Sequence, residues 1–307
     1  MKKILVATEK PFAPAAVEGI KGVFNKAGYE TEMLEKYSDP ADLLKAVAEV
    51  DGLIIRSDKV TSQVIEAAKK MKIVVRAGAG YDNVDLEAAS AKNIVAMNTP
   101  GQNSNAVAEL AFGMMLYNAR NGFNGTSGTE LRGKKLGIHA YGNVGKFVAA
   151  IAKGFGMEVY AFDPFLKKEQ IDKDGVSVLH SVEELYQTCQ YISLHIPAND
   201  KTKKSINYEL LSKLPKGGTL VNTARKEVIH EADLLKMFEA RSDFNYLSDL
   251  APDCKEDVLN KYADRAVFSA KKMGAQTAEA NINAGVAAAT QIVSFFEKGD
   301  TTFQVNK

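Results

Sequence analysis

Short apolar runs alternate with longer stretches of helical spacing along most of the chain. Ile4–Thr8, Gly52–Arg56, Ile73–Arg76 and Ile94–Met97 read as strands buried on both faces. Between them Ala13–Ala27, Asp42–Glu49, Thr61–Met71 and Leu86–Ala91 carry helical spacing. Such a βαβ series predicts a parallel sheet with helices on both faces. Asn105–Arg120, rich in Ala, Leu and Met, predicts a long buried helix, and Asn121–Gly128 is the most loop-like stretch of the chain. A second series follows, with strands expected at Lys135–His139, Glu158–Phe162, Tyr191–Ile196, Thr219–Asn222, Tyr246–Ser248 and Ala266–Ser269. Helices are expected over Val144–Phe155, Val182–Thr188, Tyr208–Leu214 and Glu231–Ala240, and a last, Ala-rich amphipathic one over Thr277–Glu297. The pattern predicts an α/β chain of two doubly wound parallel-sheet domains.

Length agrees, since 307 residues at roughly 150 per domain make two domains. A hydrophobic share of 46% with 25% charged residues excludes a disordered or collagenous chain. The 39 Lys and Arg nearly cancel the 38 Asp and Glu, which argues against a nucleic-acid partner but leaves room for a small anion in a local pocket. Cys189 and Cys254 are too few for a disulfide framework or a Cys-rich zinc site and fit a reducing cytoplasm. The start Met1–Glu9 has too short an apolar stretch for a signal peptide, and no run approaches the roughly 18 residues of a membrane span. His139, His180 and His230 are scattered without metal-ligand spacing, so no metal is expected. These features predict a soluble cytoplasmic protein.

The strongest local motif runs from the strand Lys135–His139 through Ala140-Tyr141-Gly142-Asn143-Val144-Gly145 into a helix. Gly142 lets backbone approach a pyrophosphate, Gly145 lets the helix pack close to the strand, and the helix N-terminus offers N–H groups to phosphates. Ala140 departs from the usual glycine, which lowers the specificity of the motif; alanine suits that turn if its φ is negative. Asp163, after the strand Glu158–Phe162, has the spacing of a carboxylate that accepts from adenosine ribose hydroxyls and repels a 2′-phosphate, so NAD is expected over NADP. Lys167 and Lys168, close behind, weaken that preference slightly.

Further segments carry a resemblance. Arg76–Asp85, Asn98–Ser104 continuing to Ala108–Leu110, Val221–Arg225, Ser248–Cys254 and Ala270–Ala280 together resemble the ordered motifs of the D-isomer-specific 2-hydroxyacid dehydrogenases, over nearly the whole chain. The resemblance implies two Rossmann-like domains. A discontinuous substrate-binding domain would comprise 1–97 and 281–307, with an NAD-binding domain of 98–280 inserted, and the active site would lie in the cleft. It implies a homodimer with the loop near Asn121–Glu130 in the interface, and leaves no room after Lys307 for the regulatory domain of longer relatives. Gly78, Ala79 and Gly80 would offer backbone N–H groups to a substrate carboxylate, with Asn103 beside them. His195, Ile196 and Pro197 would line the dinucleotide with Tyr141, Gly142, Asn143, Val144, Gly145, Thr223 and Ala224, and Asp249 would lie near the nicotinamide amide.

Reduction of a 2-oxo acid requires a held carboxylate, a polarised carbonyl and a proton for the developing alkoxide. Arg225, just past a strand's carboxyl end, has the planar fork for the first two. The family's proton donor is a histidine steadied by a glutamate. Lys272 stands at the histidine position and Cys254 at the glutamate position. The two departures are coherent, because an ammonium carries its own proton and needs no carboxylate to set a tautomer. Lys272 is therefore expected as general acid, against the alternative that it binds substrate electrostatically while water donates. Burial beside Arg225 is expected to lower its pKa and substrate charge to raise it. Arg56 and Arg76 end neighbouring strands, and with Lys10 they would hold a substrate phosphate. An alternative from another class is an NAD-sensing protein that has lost catalysis with the histidine.

Overall fold

The computed structural model describes residues 1–307, which form two compact units: Met1–Asn103 with Gln276–Lys307, and Ser104–Ala275. The first break falls after Asn103 rather than after residue 97. The segment beyond the last strand of that unit is bonded to it: Thr99 N–H donates to the Gly78 carbonyl at 3.0 Å and the Asn98 amide to the Ala79 carbonyl at 2.6 Å. The chain returns at Gln276 rather than at 281. Thr277 caps the helix Ala278–Lys298 by accepting from Ala280 N–H at 3.1 Å, so the return enters the first unit already helical.

In the first unit, β1 (Lys3–Thr8), β2 (Glu30–Glu35), β3 (Gly52–Ile55), β4 (Ile73–Arg76) and β5 (Val95–Asn98) form one parallel sheet in the order β2-β1-β3-β4-β5. The crossovers diverge on either side of β1 and β3, which places the topological switch point at their carboxyl ends. β3 is buried throughout, as its unbroken apolar run predicts. β2 was not anticipated. Its Glu-Thr-Glu-Met-Leu-Glu sequence lacks an apolar run because it is an edge strand with no fully buried residue. The returning helix buries Ala280, Ala284, Ala288, Ala289 and Ile292, a stripe at helical spacing that packs with Ala16, Ile20 and Phe24 of the helix Pro14–Lys26.

In the second unit, β6 (Lys135–His139), β7 (Glu158–Phe162), β8 (Ser177–Val178), β9 (Tyr191–Leu194), β10 (Thr219–Asn222), β11 (Asn245–Ser248) and β12 (Ala266–Phe268) are likewise parallel. Their order, β12-β11-β10-β9-β6-β7-β8, puts the switch point between β6 and β9. The helix Ser104–Ala119 buries Val107, Ala108, Ala111, Phe112, Met114 and Met115, so no narrow apolar stripe marks it. β8 and the helices Lys168–Asp172 and Lys255–Tyr262 escaped the sequence reading. The strand is two residues long, and each helix buries one residue, Ile171 and Val258. No helix is long and apolar enough to cross a membrane.

Candidate active site

At the carboxyl edge of the first sheet, Arg56 and Arg76 are brought together with the main chain of Lys10. Arg76 Nε donates to the Arg56 carbonyl at 3.1 Å, and Arg56 Nη1 donates to the carbonyls of Lys10 and Pro11 at 3.1 and 3.0 Å. Arg56 Nη2 also donates to the Asn281 amide oxygen, and its guanidinium lies 5.1 Å from the centroid of the Phe12 ring. Burial lowers the Arg56 pKa from its ordinary value, and the Asp58 charge opposes this. Arg56 thus staples the loop after β1 to the first turn of the returning helix, while Lys10 itself is exposed. Gly78 has φ +150°, and a Cβ there would fall 1.5 Å from Arg76 Nη1. The Gly78–Gly80 turn and the Arg76 guanidinium therefore occupy adjoining space that only glycine leaves open. Ala79 is exposed; Asn103 is partly exposed.

Two side chains that the sequence did not single out hold this edge. Asp58, almost fully buried, accepts from Glu9 N–H and Tyr37 Oη, both at 2.7 Å, and from Arg56 N–H at 3.2 Å. Burial and that carboxylate push the Tyr37 phenol far up, so it remains a donor. The Asn83 amide donates to the carbonyls of Arg56 and Asp58 at 3.2 and 2.7 Å. Asn83 lies inside the Arg76–Asp85 motif and was legible as part of it. Asp58 carried no signal beyond its proximity to Arg56.

At the switch point of the second sheet, the turn after β6 does not meet the condition that suits an alanine. Ala140 has φ +78°, not a negative value. The turn geometry is the one a glycine adopts without strain, and alanine bears it here at a cost of about 1–2 kcal/mol. Gly142 precedes the helix Asn143–Gly154 with open space where its Cβ would stand, and a Cβ on Gly145 would come within 2.7 Å of the Ala140 carbonyl oxygen. Asp163 accepts Tyr141 N–H at 2.8 Å and Phe165 N–H at 2.9 Å, so the carboxylate at the end of β7 ties down the turn. The Tyr141 side chain does not face the turn. It is fully buried in the core, and its hydroxyl donates to Asp174 at 3.1 Å. Asn143 is exposed and Val144 partly so, at the start of the helix; Ile196 is buried in the core and Pro197 is exposed.

His139 ends β6 and His195 directly follows the neighbouring β9, and His195 N–H donates to the His139 carbonyl at 2.9 Å. Burial pushes the His139 pKa down to about 4 against the pull of Asp163, and burial with the His139 charge pushes His195 down to about 3. Both imidazoles are neutral near pH 7. His195 Nε2 lies 3.0 Å from Ser193 Oγ.

Beyond β10, Asn222 organises the loop that carries Arg225. The buried Asn222 amide oxygen accepts Ala224 N–H at 3.0 Å, and its nitrogen donates to the Arg225 carbonyl at 3.0 Å and to Tyr246 Oη at 3.2 Å. Arg225 is partly exposed, with Nη1 donating to the Ala224 carbonyl at 2.9 Å. Thr223 is buried, and its Oγ1 has no hydrogen-bond partner. Asp249, at the end of β11, is 1% exposed; Oδ2 accepts Gly274 N–H at 2.8 Å and Met273 N–H at 3.2 Å, and buried Oδ1 has no partner. Lys272 is exposed, not buried as expected. No group of His, Cys, Asp and Glu is placed to hold a metal ion.

Residues 101–257 match the family model of the D-isomer specific 2-hydroxyacid dehydrogenase NAD binding domain. A hydroxypyruvate reductase of Thermotoga maritima is 34% identical over 293 residues, covering 89% of this chain and 93% of that protein. The chain belongs to the D-isomer-specific 2-hydroxyacid dehydrogenases. A D-3-phosphoglycerate dehydrogenase of Methanocaldococcus jannaschii is 36% identical over 268 residues, 82% of this chain but 51% of that protein, so the chain spans about half of its length. A solved structure of 3-phosphoglycerate dehydrogenase from Entamoeba histolytica with bound NAD+ has a TM-score of 0.90 and 49% identity, covering 100% of this chain and 99% of that one.

As in this family, the cofactor is NAD, and the second sheet fits it on its own geometry. The turn Ala140–Gly145 leaves backbone space at a helix N-terminus, and Asp163 marks the end of the adjacent strand. The buried Thr223 Oγ1 and Asp249 Oδ1 are polar atoms awaiting partners, the condition a bound ligand relieves. Burial and the neighbouring Glu231 push the Cys254 thiol up to about 12, so it supplies no charge near neutral pH.

Proposed function

We propose that this dehydrogenase is an NAD-dependent D-3-phosphoglycerate dehydrogenase that interconverts D-3-phosphoglycerate and 3-phosphohydroxypyruvate, a step toward serine. The observation that carries this reading is the meeting of Arg56, Arg76 and Lys10 at the switch point of the first sheet, beside the Gly78–Gly80 turn. Two guanidiniums at one edge, with Lys10 in the adjoining loop, suit a phosphate that a plain 2-hydroxy acid lacks. The likeness to the Entamoeba histolytica enzyme over the full chain supports it.

In this reading the first unit binds the substrate and the second binds NAD. Gly78, Ala79 and Gly80 offer N–H groups to the substrate carboxylate, with Asn103 beside them. Arg225 polarises the carbonyl and holds the carboxylate, and NADH supplies the hydride. Lys272 delivers a proton to the carbonyl oxygen as the carbonyl carbon gains the hydride, and takes it back in the reverse direction. Gly142, Asn143, Val144 and Gly145 cradle the pyrophosphate. Asp163 accepts from the ribose hydroxyls with its remaining lone pairs. Thr223, Ala224, His195, Ile196 and Pro197 line the dinucleotide, and Asp249 Oδ1 accepts from the nicotinamide amide. The protein works in the cytoplasm as a homodimer through the loop near Asn121–Glu130.

A second reading, a hydroxypyruvate or glyoxylate reductase, is favoured by the Thermotoga maritima relative, which the chain matches over nearly its whole length. NADH oxidation with 3-phosphohydroxypyruvate, hydroxypyruvate, pyruvate and 2-oxoglutarate separates the two. The phosphorylated substrate should show the highest kcat/KM; equal values with hydroxypyruvate would leave only the reductase reading.

A further inference from the structure

We propose that Asp249 is a positioning residue for the proton donor, a role that rests on Lys272 acting as the general acid. The backbone is tied down on both sides of Lys272. On one side Ser269 N–H donates to the Ser248 carbonyl at 3.2 Å, and Ser269 Oγ lies 2.8 Å from the Lys271 carbonyl and 3.1 Å from that of Asp249. On the other side Asp249 Oδ2 accepts the N–H groups of both Met273 and Gly274. Asp249 therefore reaches the strap Ser269–Gly274 from its carboxylate and from its backbone. A Cβ on Gly274 would lie 3.1 Å from Oδ2 and 3.2 Å from Val107 Cγ2, so the paired N–H approach has little room for any larger residue.

A charge sequestered at the end of β11 solely for packing would be costly, since one oxygen has no partner at all. Two N–H donors on the other oxygen offset part of that cost and convert it into order in the strap. A long lysine side chain has many rotamers, and a fixed backbone narrows where its ammonium can reach. In the family pattern a glutamate steadies the donor side chain directly. Here Cys254 occupies that position, and Asp249 steadies the donor through its backbone instead. The unpartnered Oδ1 of the same carboxylate would be left for the dinucleotide, so one group would set the strap and meet the cofactor.

The test uses Asp249→Ala, Asp249→Asn and Lys272→Ala. In cofactor-free protein, hydrogen exchange at the Met273 and Gly274 amides should accelerate by about 100-fold in Asp249→Ala, and by less in Asp249→Asn, whose amide oxygen still accepts. In turnover, Asp249→Ala should lose about 100-fold in kcat with the KM for the 2-oxo acid held within about threefold. Its high-pH fall in reduction rate should flatten as water replaces the lysine, and Asp249→Asn should restore most of kcat and the pH limb. Faster exchange with unchanged kcat and pH profile would overturn the positioning role, as would unchanged exchange. Full turnover in Lys272→Ala would instead remove the donor reading. A strict need for Lys272 alongside an indifferent Asp249 would remove only this inference.

Discussion

The two sheet edges follow one topological rule and use opposite chemistry. Each has a switch point, between β1 and β3 in the first unit and between β6 and β9 in the second. At the first, the polar groups are cations on long side chains, held in place by main-chain carbonyls: Arg56 on Lys10 and Pro11, Arg76 on Arg56. At the second, the recognition groups are backbone N–H groups at a helix start and carboxylates at strand ends, Asp163 and Asp249, themselves held by N–H donors. In the proposed function a small dianion and a hydroxyl-rich dinucleotide would call for these two different sets. The difference teaches that parallel-sheet topology determines where a ligand goes, while the residues one or two positions past each strand decide what it is.

Four changes sharpen or break this contrast. The largest effect is expected from Arg225→Ala, which removes the guanidinium that polarises the carbonyl in the proposed reaction. Steady-state kinetics should show a loss of about 1,000-fold in kcat/KM, near 4 kcal/mol, with NADH binding by fluorescence intact. A loss under tenfold would mean that the cations of the first unit suffice. Next, Gly78→Ala should lower stability by about 2 kcal/mol through backbone strain at φ +150° and displace the Arg76 guanidinium. Thermal unfolding and the substrate KM should both worsen while NADH affinity holds; a weakened NADH affinity would show that the two edges do not bind separately.

The third change concerns pH. His139 is held neutral, with its pKa pushed from 6.5 down to about 4, so the unfolded chain binds the proton more readily. Its contribution to stability is complete above the unfolded value and is lost as pH falls from there toward the folded value. His139 alone should cost about 2 kcal/mol on going from about pH 7 to about pH 5. Urea unfolding of His139→Leu should lose that much less over the same interval; an equal loss would place the acid sensitivity elsewhere. The smallest effect is expected from Ala140→Gly, which relieves the positive φ and should raise stability by about 1 kcal/mol in thermal unfolding. Unchanged or lower stability would mean that alanine's smaller unfolded-state freedom outweighs the strain.

Much of this was legible in the chain. Lys135–His139, Glu158–Phe162, Thr219–Asn222 and the helix Glu231–Ala240 fall where the apolar pattern places them. Buried parallel strands need unbroken apolar runs, and those runs are visible. β2 and β8 were not, because an edge strand with no fully buried residue and a two-residue strand need no such run. At the site, motif and spacing brought out Arg225, Asp163 and Lys272. Asn222, Asn83 and Asn98, which hold the loops, sat unremarked inside quoted motifs, and Asp58 outside any. An asparagine or aspartate in a loop has the same composition signal whether it meets solvent or pins two strands.

By itself the sequence determined the two parallel sheets and the dinucleotide turn, and it singled out Arg225, Lys272 and Cys254 for the proposed chemistry. These depend on local periodicity and on residue identity. Only the tertiary structure decided the strand orders, the positive φ of Ala140, the commitment of Arg56 to carbonyls of the β1 loop and the hold of Asp249 on the strap around Lys272. Each of those joins residues far apart in the chain or a backbone angle imposed by neighbours, and hydrogen bonds that close over such separations leave no periodic trace in the order of residues.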